Sequence, residues 1–523
     1  MSRSENPERP AGRPTRRRRK GTLSREAMMA KRSLPPVIDP SPPGPVGGQY
    51  RPLNDKQVEQ IYSTSLRMLG ELGMGDAPDA LVEKALQQGA TVNQLGRLCF
   101  PKSLIEKMIE TSCKSFTLHG RDEKHSIEVG GDRVYFGTGG AAVQTLDLDS
   151  GRYRPSTLKD LYDFTRVIDT LPNVSWFTRC CVATDVPDIF DLDINTAYCL
   201  MKGTQKPVGT SFTLGENVDP IVDMFDAIAG GSGRFAEKPF CKAHISPVIS
   251  PMRYGADAFD VTLACIKRGV PINNIIAAMS GATSPATIDG MLAASFAETL
   301  AALVMVNLFS PGYPMIFSNW PFVIDLRTGA FSGGGGEIAL LNAGSAQLAN
   351  YVGLPSGVAS SMSDAKAVDA QMGLEKSLSS LACGLSGANM VYESSGMMAS
   401  LLGASFEAFL IDNEMLSHVY RIIRGVEVSE ASLGFDAMQN VITGEGHFIG
   451  EEQTLMAMER DYYYPQLSDR LEPDTWAGQG GEDIAARANK KVRELLANDD
   501  PGYIDAKVDQ QLRGQFNILL ENH

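Results

Sequence analysis

Aromatic side chains recur beside polar ones in several short β-rich runs of the sequence. Trp176 lies in VSWFTR, Trp320 in PMIFSNW and Tyr392 in ANMVYESS, while Phe212 lies in KPVGTSFT. Ring faces hold an alkylated ammonium ion at about 0.5 to 2 kcal/mol per contact. The pattern therefore predicts a pocket for a quaternary amine, with packing of the rings inside a barrel as the alternative.

Two titratable residues in runs of the same kind are candidates for proton transfer. His244 lies in PFCKAHIS, and Glu393 follows Tyr392 directly. A histidine or carboxylate within reach of a reacting group can act as its acid or base. We therefore assign His244 and Glu393 as candidate catalytic residues and keep Asp364 as a further acid–base candidate, while a purely structural role for His244 stays open.

Motifs for metal binding or for a serine nucleophile do not occur. The six histidines form no HxxxH or HxH pair, and none lies beside a cysteine at the spacing of a zinc site. There is no GxSxG sequence of the kind that presents a nucleophilic serine. We therefore predict no tightly bound metal.

The segment DLRTGAFSGGGGE (325–337) precedes a helix-like run, EIALLNAGSAQLANY. Its four consecutive glycines allow positive φ and a close approach to a ligand, and the helix N-terminus behind them favours negative charge. A phosphate-binding loop would need Lys and Ser or Thr after its last glycine, where Glu337 and Ile338 stand. We expect a mobile lid that closes over the amine; a plain spacer is the alternative.

The elements that must position these residues are eight β-rich runs, each followed by a segment of helix length. This spacing of roughly 30 to 45 residues predicts a (β/α)8 TIM barrel. A doubly wound open sheet is the second choice, because no GxGxxG follows a first strand. The runs are VYFGTGG (134–140), VSWFTR (174–179), KPVGTSFT (206–213), PFCKAHIS (239–246), INNIIAAMSGAT (272–283), PMIFSNW (314–320), GVASSMSD (357–364) and ANMVYESS (388–395).

Active sites of this fold lie where the strands end, so the strand ends narrow the search for functional residues. The strand-end candidates are Thr138, Gly139, Gly140, Trp176, Phe177, Ser211, Phe212, His244, Ser246, Met279, Asn319, Trp320, Phe322, Ser361, Asp364, Lys366, Asn389, Tyr392 and Glu393.

The organisation of the chain follows from its composition. We predict a disordered, basic and Pro/Gly-rich tail over 1–50, an N-terminal helical subdomain with short strands over 51–130, the barrel over 131–400 and a helical extension over 401–523. Asn54 is a good N-cap for the first helix, and apolar residues follow it at helical spacing.

Charge and cysteine usage limit the partners. The net charge is -14, yet residues 1–32 hold eleven Lys and Arg against three Glu, so the rest of the chain is strongly acidic. Nucleic-acid binding would therefore have to rest on the tail. The sequence contains no run of 18 or more apolar residues, so it predicts no membrane span. The eight cysteines are scattered without CxxC, which is typical of a reduced, cytoplasmic protein.

Several segments together resemble the trimethylamine:corrinoid methyltransferase family over about residues 50–500. The similarity lies in the non-pyrrolysine branch, which is similar to glycine betaine methyltransferase. The matching segments are FGTGGAAVQTLDLDSGRYRPSTLKDL (136–161), SPVISPMRYGADA (246–258), GATSPATIDGMLAASFAETLAALV (281–304), DLRTGAFSGGGGEIALLNAGSAQLANYVGLPSG (325–357), SDAKAVDAQMGLEK (363–376), GANMVYESSGMM (387–398) and TGEGHFIG followed by QTLMAMERDYYYPQLSDR (443–470).

The resemblance implies a barrel that moves a methyl group from a methylated amine to the Co(I) corrinoid (cobalamin) of a separate small protein by in-line displacement. A quaternary ammonium leaves as a neutral tertiary amine, so no proton need be delivered and the protein mainly positions the N-methyl carbon. Trimethylamine-specific members carry pyrrolysine, which this chain lacks. We therefore expect a betaine-like substrate, a corrinoid-binding partner and a homo-oligomer.

The same resemblance assigns residues to tasks. A zwitterionic substrate would need a cation for its carboxylate, and Arg327 and Lys366 are the candidates; a structural ion pair is the alternative for Arg327. A lyase or hydrolase on the same barrel, and a quaternary-amine binder without activity, remain alternatives to the methyltransferase. The expected substrate-binding residues are Trp176, Phe212, Asn319, Trp320, Arg327, Lys366 and Tyr392, and the expected corrinoid-facing residues are Gly139, Gly333, Gly334, Gly335, Gly336 and Glu337.

Overall fold

The structure is a computed structural model that describes residues 39–444, 446–498 and 500–521. Most of the predicted N-terminal tail, residues 1–38, lies outside the described residues. The chain forms two compact units. The larger comprises Ser41–Gly425 and Tyr464–His523, and the smaller comprises Met1–Pro40 and Val426–Tyr463.

Twenty-one short strands occur in the described residues. They are β1 (Thr91–Val92), β2 (Leu98–Cys99), β3 (Ser115–Leu118), β4 (Ile127–Gly130), β5 (Tyr135–Phe136), β6 (Gln144–Leu146), β7 (Tyr153–Pro155), β8 (Phe177–Thr178), β9 (Val208–Thr210), β10 (Cys241–Ile245), β11 (Val248–Ile249), β12 (Arg253–Tyr254), β13 (Ile272–Ile276), β14 (Met279–Ser280), β15 (Met315–Asn319), β16 (Phe322–Ile324), β17 (Phe331–Ser332), β18 (Ser356–Ala359), β19 (Met390–Tyr392), β20 (Met397–Met398) and β21 (Gly403–Ser405).

Helices connect and surround these strands. They are α1 (Asp55–Arg67), α2 (Asp79–Gln87), α3 (Lys102–Thr111), α4 (Leu158–Asp169), α5 (Ile189–Gly203), α6 (Val218–Ile228), α7 (Arg234–Glu237), α8 (Ala256–Arg268), α9 (Ile288–Phe309), α10 (Gly336–Tyr351), α11 (Ala370–Leu385), α12 (Phe406–Arg424), α13 (Glu430–Leu433), α14 (Phe435–Thr443), α15 (Glu452–Arg460), α16 (Pro473–Gly478), α17 (Ile484–Leu496) and α18 (Ala506–Gln515). A π-helical turn, Met68–Leu72, continues α1.

Eight parallel strands form the central sheet of the larger unit. Their order is β5-β19-β18-β15-β13-β10-β9-β8, so each strand lies beside its neighbour in the β/α sequence. The sheet closes between its first and last strands, because Ser175 N–H donates to the carbonyl of Phe136 at 2.8 Å and Ala142 N–H donates to that of Cys180 at 3.0 Å. The predicted (β/α)8 barrel is confirmed, and each of the eight predicted runs contains one barrel strand.

A hairpin covers the N-terminal end of the barrel, and the first helices pack on α9. Strands β3 and β4 pair antiparallel, and their residues Leu118, Ile127 and Val129 join the apolar cluster inside the barrel. Helix α1 begins as predicted, since Asn54 accepts from the N–H of Gln57 and donates its own N–H to the Gln57 side chain. This end of the barrel is therefore closed by packed apolar side chains.

Small sheets flank the opposite, C-terminal end of the barrel. Strands β6, β7, β20 and β21 form one of four strands, and β14, β16 and β17 form one of three. They lie in the segments that follow β5, β13, β15 and β19. These segments build the walls of the mouth from the loops in which a barrel carries its active site.

The remaining helices bury the outside of the barrel. Helix α9 is long and apolar enough to cross a membrane, but 83% of its most apolar window is buried inside the protein, as in a core helix. The helix of the last β/α unit is α12, which packs on α11 and α17. Glu414 of α12 accepts hydrogen bonds from the backbone of Gln466, Leu467 and Ser468, which fastens the segment after the smaller unit.

The smaller unit, in its described residues 39–40, 426–444 and 446–463, consists of α13, α14 and α15 with a 3-10 turn at Phe448–Gly450. Its surface is unusually apolar, with Phe435, Met438 and Ile442 of α14 all exposed.

Candidate functional site

The rings predicted from the sequence meet inside the barrel around Tyr392. Its ring centroid lies 5.1 Å from that of Trp176, 5.1 Å from that of Trp320 and 5.2 Å from that of His244. Trp176 fits because Gly137 has no side chain: a Cβ there would lie 2.2 Å from the indole. Tight packing of this kind holds each ring in one orientation.

The aromatic row continues outward from Tyr392 to the glycine segment. Trp320 contacts Phe322 at 6.4 Å between centroids, and Phe322 contacts Phe331 at 5.1 Å. Phe331 lies just before the glycines. We call Trp176, Tyr392, Trp320, Phe322 and Phe331 the aromatic row. It leads from the middle of the barrel to the mouth.

Lys242, which the sequence analysis did not select, lies against the inner part of the aromatic row. Its ammonium is 5.4 Å from the centre of the Trp176 ring and 5.2 Å from that of Tyr392, and it donates to Thr178 Oγ1 at 3.0 Å. Burial lowers the pKa of Lys242 to about 7. The inner rings therefore already face a lysine whose charge changes near neutral pH.

A chain of polar side chains crosses the barrel beside these rings. Thr178 Oγ1 lies 3.3 Å from His244 Nε2, as does Asn273 Nδ2, and Asn273 Oδ1 accepts from the hydroxyl of Ser318. Because Asn273 uses its oxygen for Ser318, its amide group donates to His244. Nε2 of His244 is thus an acceptor, which assigns the ring proton to Nδ1.

The environment of His244 keeps the imidazole neutral. Burial lowers its pKa well below 6.5, and the positive charges of Lys242 and Arg179 lower it further. No described residue hydrogen-bonds Nδ1, and the residue keeps part of its surface exposed. His244 can therefore offer an N–H donor to a ligand in the mouth, and it is a poor base at neutral pH.

Glu393 lies in a left-handed conformation directly after β19, with φ of 62°. Its carboxyl group packs on Gly139 and Gly140, where a Cβ on either glycine would come within 3.1 Å and 2.8 Å of its oxygens. Oε2 is buried and has no hydrogen-bond partner. Burial raises the pKa of Glu393 to about 8, although the charge of Lys376 opposes the shift. The carboxyl group is therefore protonated at neutral pH.

Asn319 and Trp320, at the end of β15, hold further unpaired polar atoms. Both amide atoms of Asn319 and the indole Nε1 of Trp320 are buried without hydrogen-bond partners. Unpaired buried polar groups cost about 1–3 kcal/mol each. Their concentration at one strand end is typical of a site that completes its hydrogen bonds with a ligand.

Asp364 fastens the first half of the glycine segment. Its carboxylate accepts from Gly333 N–H at 2.7 Å, from Ser332 Oγ at 3.0 Å and from Ser400 Oγ at 2.8 Å. A Cβ on Gly334 would lie 2.2 Å from the carboxyl carbon of Glu375. The glycines therefore permit close approach to the protein's own side chains.

The backbone of the glycine segment differs from the sequence-based expectation. None of Gly333 to Gly336 has a positive φ. Gly335 caps α10 in extended conformation, Gly336 is its first residue, and Glu337 lies in the first turn. A Cβ on Gly336 meets no atom within 4 Å. The need for glycine is thus steric and is strongest at Gly333 and Gly334.

Three predicted substrate residues do not join the aromatic row. Phe212 is buried in the larger core cluster, which is distinct from the cluster of the row. Arg327 is 87% exposed and forms an ion pair with Asp325 at 2.8 Å. Lys366 is exposed and donates to the carbonyl of Asp364.

Sequence reasoning also passed over Arg179, which follows β8 directly. The signal was available, because Arg179 is the last residue of the predicted run VSWFTR. A cation at a strand end lies on the functional side of a barrel. Lys242, by contrast, lies in the middle of its strand, and only the closed barrel indicates that its side chain points inward.

Metal-ligating side chains do not cluster in the described parts of the chain: no group of three or more His, Cys, Asp or Glu occurs there. The polar groups that gather at the mouth are instead a neutral histidine, a protonated carboxyl, an amide and an indole.

The fold and this site define a (β/α)8-barrel protein with aromatic and polar groups at the C-terminal ends of its strands, the arrangement of barrel enzymes. Residues 14–518 match the model of the family described as Trimethylamine methyltransferase (MTTB). The chain belongs to this family, and it is a methyltransferase of the trimethylamine and glycine betaine group.

Curated relatives span nearly the whole chain. It is 28% identical over 466 residues to the glycine betaine methyltransferase of Desulfitobacterium hafniense (strain Y51), covering 89% of this chain and 96% of the relative. It is 32% identical over 458 residues to the trimethylamine methyltransferase MttB of Methanosarcina barkeri (strain Fusaro), covering 86% and 92%. Among solved structures, the monomethylamine methyltransferase MtmB of Methanosarcina barkeri is 13% identical with a TM-score of 0.45, covering 86% of this chain and 95% of that one.

Proposed function

We propose that this protein removes a methyl group from a betaine-like quaternary amine and passes it to the corrinoid of a partner protein. The observation that carries the proposal is the aromatic row, whose outer member Trp320 combines a ring face with an unpaired indole N–H beside the mouth. Relatives named glycine betaine methyltransferase and trimethylamine methyltransferase support the substrate class.

The outer half of the aromatic row is the better position for the substrate cation. Lys242 already lies against Trp176 and Tyr392, and a second cation there would meet like charge. Within the described part of the chain, the cations that lie over rings of the aromatic row contact Trp176 and Tyr392 and not Trp320, Phe322 or Phe331. We therefore assign the trimethylammonium group to Trp320 and the rings beyond it, held by cation–π attraction.

The titratable groups of the site suit a reaction without proton delivery. A quaternary amine leaves as a neutral amine, and His244 is neutral across the physiological range because its pKa is lowered. His244 Nδ1–H and the protonated carboxyl of Glu393 are donors that orient polar parts of the substrate. Their proposed task is to hold the N-methyl carbon toward the mouth.

The mouth offers a surface for the corrinoid of a partner. Exposed apolar side chains occur in the segments after five barrel strands: Val143, Leu214, Ile249, Leu326 and Leu402. Apolar surface of this kind, beside loops, is typical of an interaction site. These residues, with Gly139 and the glycine segment, would contact the macrocycle or its carrier, and the corrinoid would supply a cobalt centre that accepts the methyl group.

The remaining expectations about the setting are part of this proposal. All eight cysteines are free, and seven of them are buried, as suits a reducing cytoplasm. We also propose a homo-oligomer, which is the expectation stated with the family resemblance.

The experiment that tests the proposed function compares two tryptophans. The purified protein is mixed with reduced cobalamin and a panel of quaternary amines, and methylcobalamin is followed by its absorbance. Trp320→Ala should lower kcat/KM by roughly 30-fold or more, a loss of about 2 kcal/mol. Trp476→Ala, which removes a partly exposed indole from α16, is the matched control and should change little.

Two results would contradict the proposed function. One is the absence of methylcobalamin with every amine of the panel, in the presence and absence of candidate corrinoid proteins. The other is turnover of a different kind that needs Glu393 and no cobalamin, which would favour the lyase or hydrolase alternative.

A further inference from the structure

A small pocket that is partly open to solvent lies beside the ends of β8 and β9. Helix α5 forms its outer wall. Its lining includes Arg179, Leu192, Asp193, Thr196, Ser211 and Thr213. A guanidinium group, three hydroxyl groups and aliphatic carbon thus converge on one small cavity, which we call the Arg179 pocket.

The guanidinium of Arg179 has no carboxylate partner among the described residues. Its one side-chain hydrogen bond goes to Ser211 Oγ at 3.3 Å. Other arginines form ion pairs, such as Arg154 with Asp160 at 2.6 Å. Burial lowers the pKa of Arg179, but an arginine keeps its charge. The pocket therefore holds a positive charge that feels the nearby charge of Asp193 but forms no ion pair with it in the described residues.

Asp193, the acid that lines the same pocket, is committed elsewhere. It accepts from Thr213 N–H at 2.7 Å, from Thr213 Oγ1 at 2.8 Å and from Asn217 Nδ2 at 2.8 Å. These three donors occupy both carboxylate oxygens. Asp193 thus anchors the loop after β9, and the guanidinium of Arg179 keeps N–H groups that no described carboxylate accepts.

The Arg179 pocket adjoins the aromatic and polar site. Arg179 follows Thr178, whose hydroxyl contacts His244, and Ser211 lies two residues beyond Gly209. A Cβ on Gly209 would lie 3.3 Å from His244 Cδ2. The guanidinium is also close enough for its charge to act on the His244 ring. One small molecule in the mouth can therefore face His244 and Arg179 together.

We propose that Arg179 binds the carboxylate of a zwitterionic quaternary amine while its methylated nitrogen lies on the outer aromatic row. This assignment rests on the proposed function and names the residue that selects betaines over amines without a carboxylate. A guanidinium pairs with a carboxylate through two parallel hydrogen bonds, and the hydroxyl of Ser211, which accepts from Arg179, can donate its own proton to the same carboxylate. Arg179 takes the task for which the sequence suggested Arg327 and Lys366.

Binding measured by calorimetry separates the two ends of the ligand. Glycine betaine tests both ends, tetramethylammonium tests the cation end and propionate tests the anion end. We expect Arg179→Gln to weaken glycine betaine binding by roughly 10- to 100-fold, the range for a hydrogen-bonded charge, and tetramethylammonium binding by less than about threefold. Arg179→Lys should recover part of the loss, because it keeps the charge but not the fork.

Two matched variants control the experiment. Arg234→Gln removes an exposed arginine that pairs with Glu237, and it should leave all three ligands unaffected. The thermal unfolding temperature of Arg179→Gln should match or exceed that of the wild type, because the variant removes a buried charge that forms no ion pair.

The outcomes that overturn the assignment are distinct from failure of the proposed function. Equal losses for glycine betaine and tetramethylammonium in Arg179→Gln, or a loss for glycine betaine in Arg327→Gln that exceeds it, would refute the assignment. If the wild type binds neither quaternary amine, the proposed function fails. In that case propionate binding that disappears in Arg179→Gln would retain the pocket as a carboxylate site.

Discussion

The two ends of the barrel differ in whether their buried polar side chains have hydrogen-bond partners. At the N-terminal end Asn389 satisfies its whole side chain: its oxygen accepts from Ser356 N–H at 2.8 Å, and its amide donates to Gly131 and Arg133 carbonyls at 2.7 and 3.0 Å. At the C-terminal end both side-chain atoms of Asn319 are buried and unpaired. The same residue type is structural at one end and available at the other.

Two buried lysines repeat the contrast. Lys206, just before β9, donates to the carbonyls of Ile168, Leu171 and Val174 at 2.5–2.9 Å. Lys242, in the next strand, has one hydroxyl and two ring faces. Both have a pKa lowered to about 7 by burial. Lys206 binds backbone carbonyls of the loop ends below the barrel, whereas Lys242 changes the charge of the site.

Backbone strain follows the same division. Six of the seven non-glycine residues with positive φ in the described chain follow a barrel strand on its C-terminal side; they are Met252, Ser361, Glu393, Ala399, Ser400 and Leu401. Such conformations cost energy and persist where the surroundings impose them. The difference between the ends indicates that stability is concentrated at one end of the barrel and function at the other.

The largest effect is expected for the two asparagines. Asn389→Leu should lower the free energy of unfolding by about 3 kcal/mol or more, because it leaves buried backbone groups of β18 and the β4–β5 connection unpaired. Asn319→Leu removes no hydrogen bond and should stay within about 1 kcal/mol of the wild type, while lowering methyl transfer. Denaturant unfolding and turnover of both variants test this. Equal destabilisation would mean that the two ends do not differ.

The lysines should separate stability from pH dependence. Lys206→Met leaves three carbonyls unpaired and should destabilise the protein by about 2 kcal/mol or more, whereas Lys242→Met should cost less. Thermal unfolding at fixed pH measures both. A larger loss in Lys242→Met would place a structural lysine inside the site.

The charge of Lys242 should also appear in substrate binding. Below its pKa of about 7 it is charged and repels a quaternary ammonium, so binding should tighten as the pH rises from 6 to 8. His244 stays neutral in this window, and Glu393, which titrates near 8, adds a second tightening step. Lys242→Met should lose the first step and keep the second. Calorimetry across this pH range measures the affinity for the quaternary amine. A pH profile of Lys242→Met that matches the wild type would contradict the assignment.

Glu393 should make stability fall as the pH rises. Its folded-state pKa of about 8 lies above the ordinary value of 4.5, so between these values the folded protein binds more protons than the unfolded chain. The contribution of Glu393 to the free energy of unfolding is therefore fully present below pH 4.5 and is lost as the pH rises toward 8. Glu393→Gln should gain more than about 1 kcal/mol relative to the wild type between pH 5 and 8. If the free energy of unfolding changes with pH in the same way for both proteins, Glu393 is ionised in the folded state.

The smallest effect is expected in the glycine segment. Gly334→Ala forces Glu375 to move and disturbs the bonds to Asp364, which should lower methyl transfer by about tenfold. Gly336→Ala meets open space at the first residue of α10 and should be neutral. Steady-state turnover and unfolding of both variants measure the difference. Equal turnover would return the segment to the role of a spacer.

The eight strand runs were predictable because parallel barrel strands are buried on both faces and read as short apolar stretches between turn residues. The start of α1 was predictable from Asn54 for a local reason, its capping bond to Gln57. Asn389 was wrongly counted as a strand end: it precedes β19, and short runs do not reveal where a strand begins. The accessory sheets at the mouth depend on distant pairings such as β6 with β21.

The site divides in the same manner. Sequence patterns selected Trp176, Trp320, Tyr392, His244 and Glu393, since residue type and strand position carry that information. The structure brings the four rings together and packs the Glu393 carboxyl on Gly139 and Gly140. Sequence patterns could not show which charged residue can bind a ligand, because ion pairing within the fold decides whether its charge is available. Arg327 binds Asp325 two positions away, while Arg179 forms no ion pair in the described residues and Asp193 accepts from Thr213 and Asn217.

By itself the sequence determined the family, the barrel and the residue types at its strand ends, because these depend on local composition and on the order of strands and helices. The tertiary structure alone decided which lysine points inward, which carboxyl is protonated and whether an arginine is held in an ion pair. Burial and pairing depend on groups far apart in the chain, and they set both the charge of each residue and its freedom to bind a ligand.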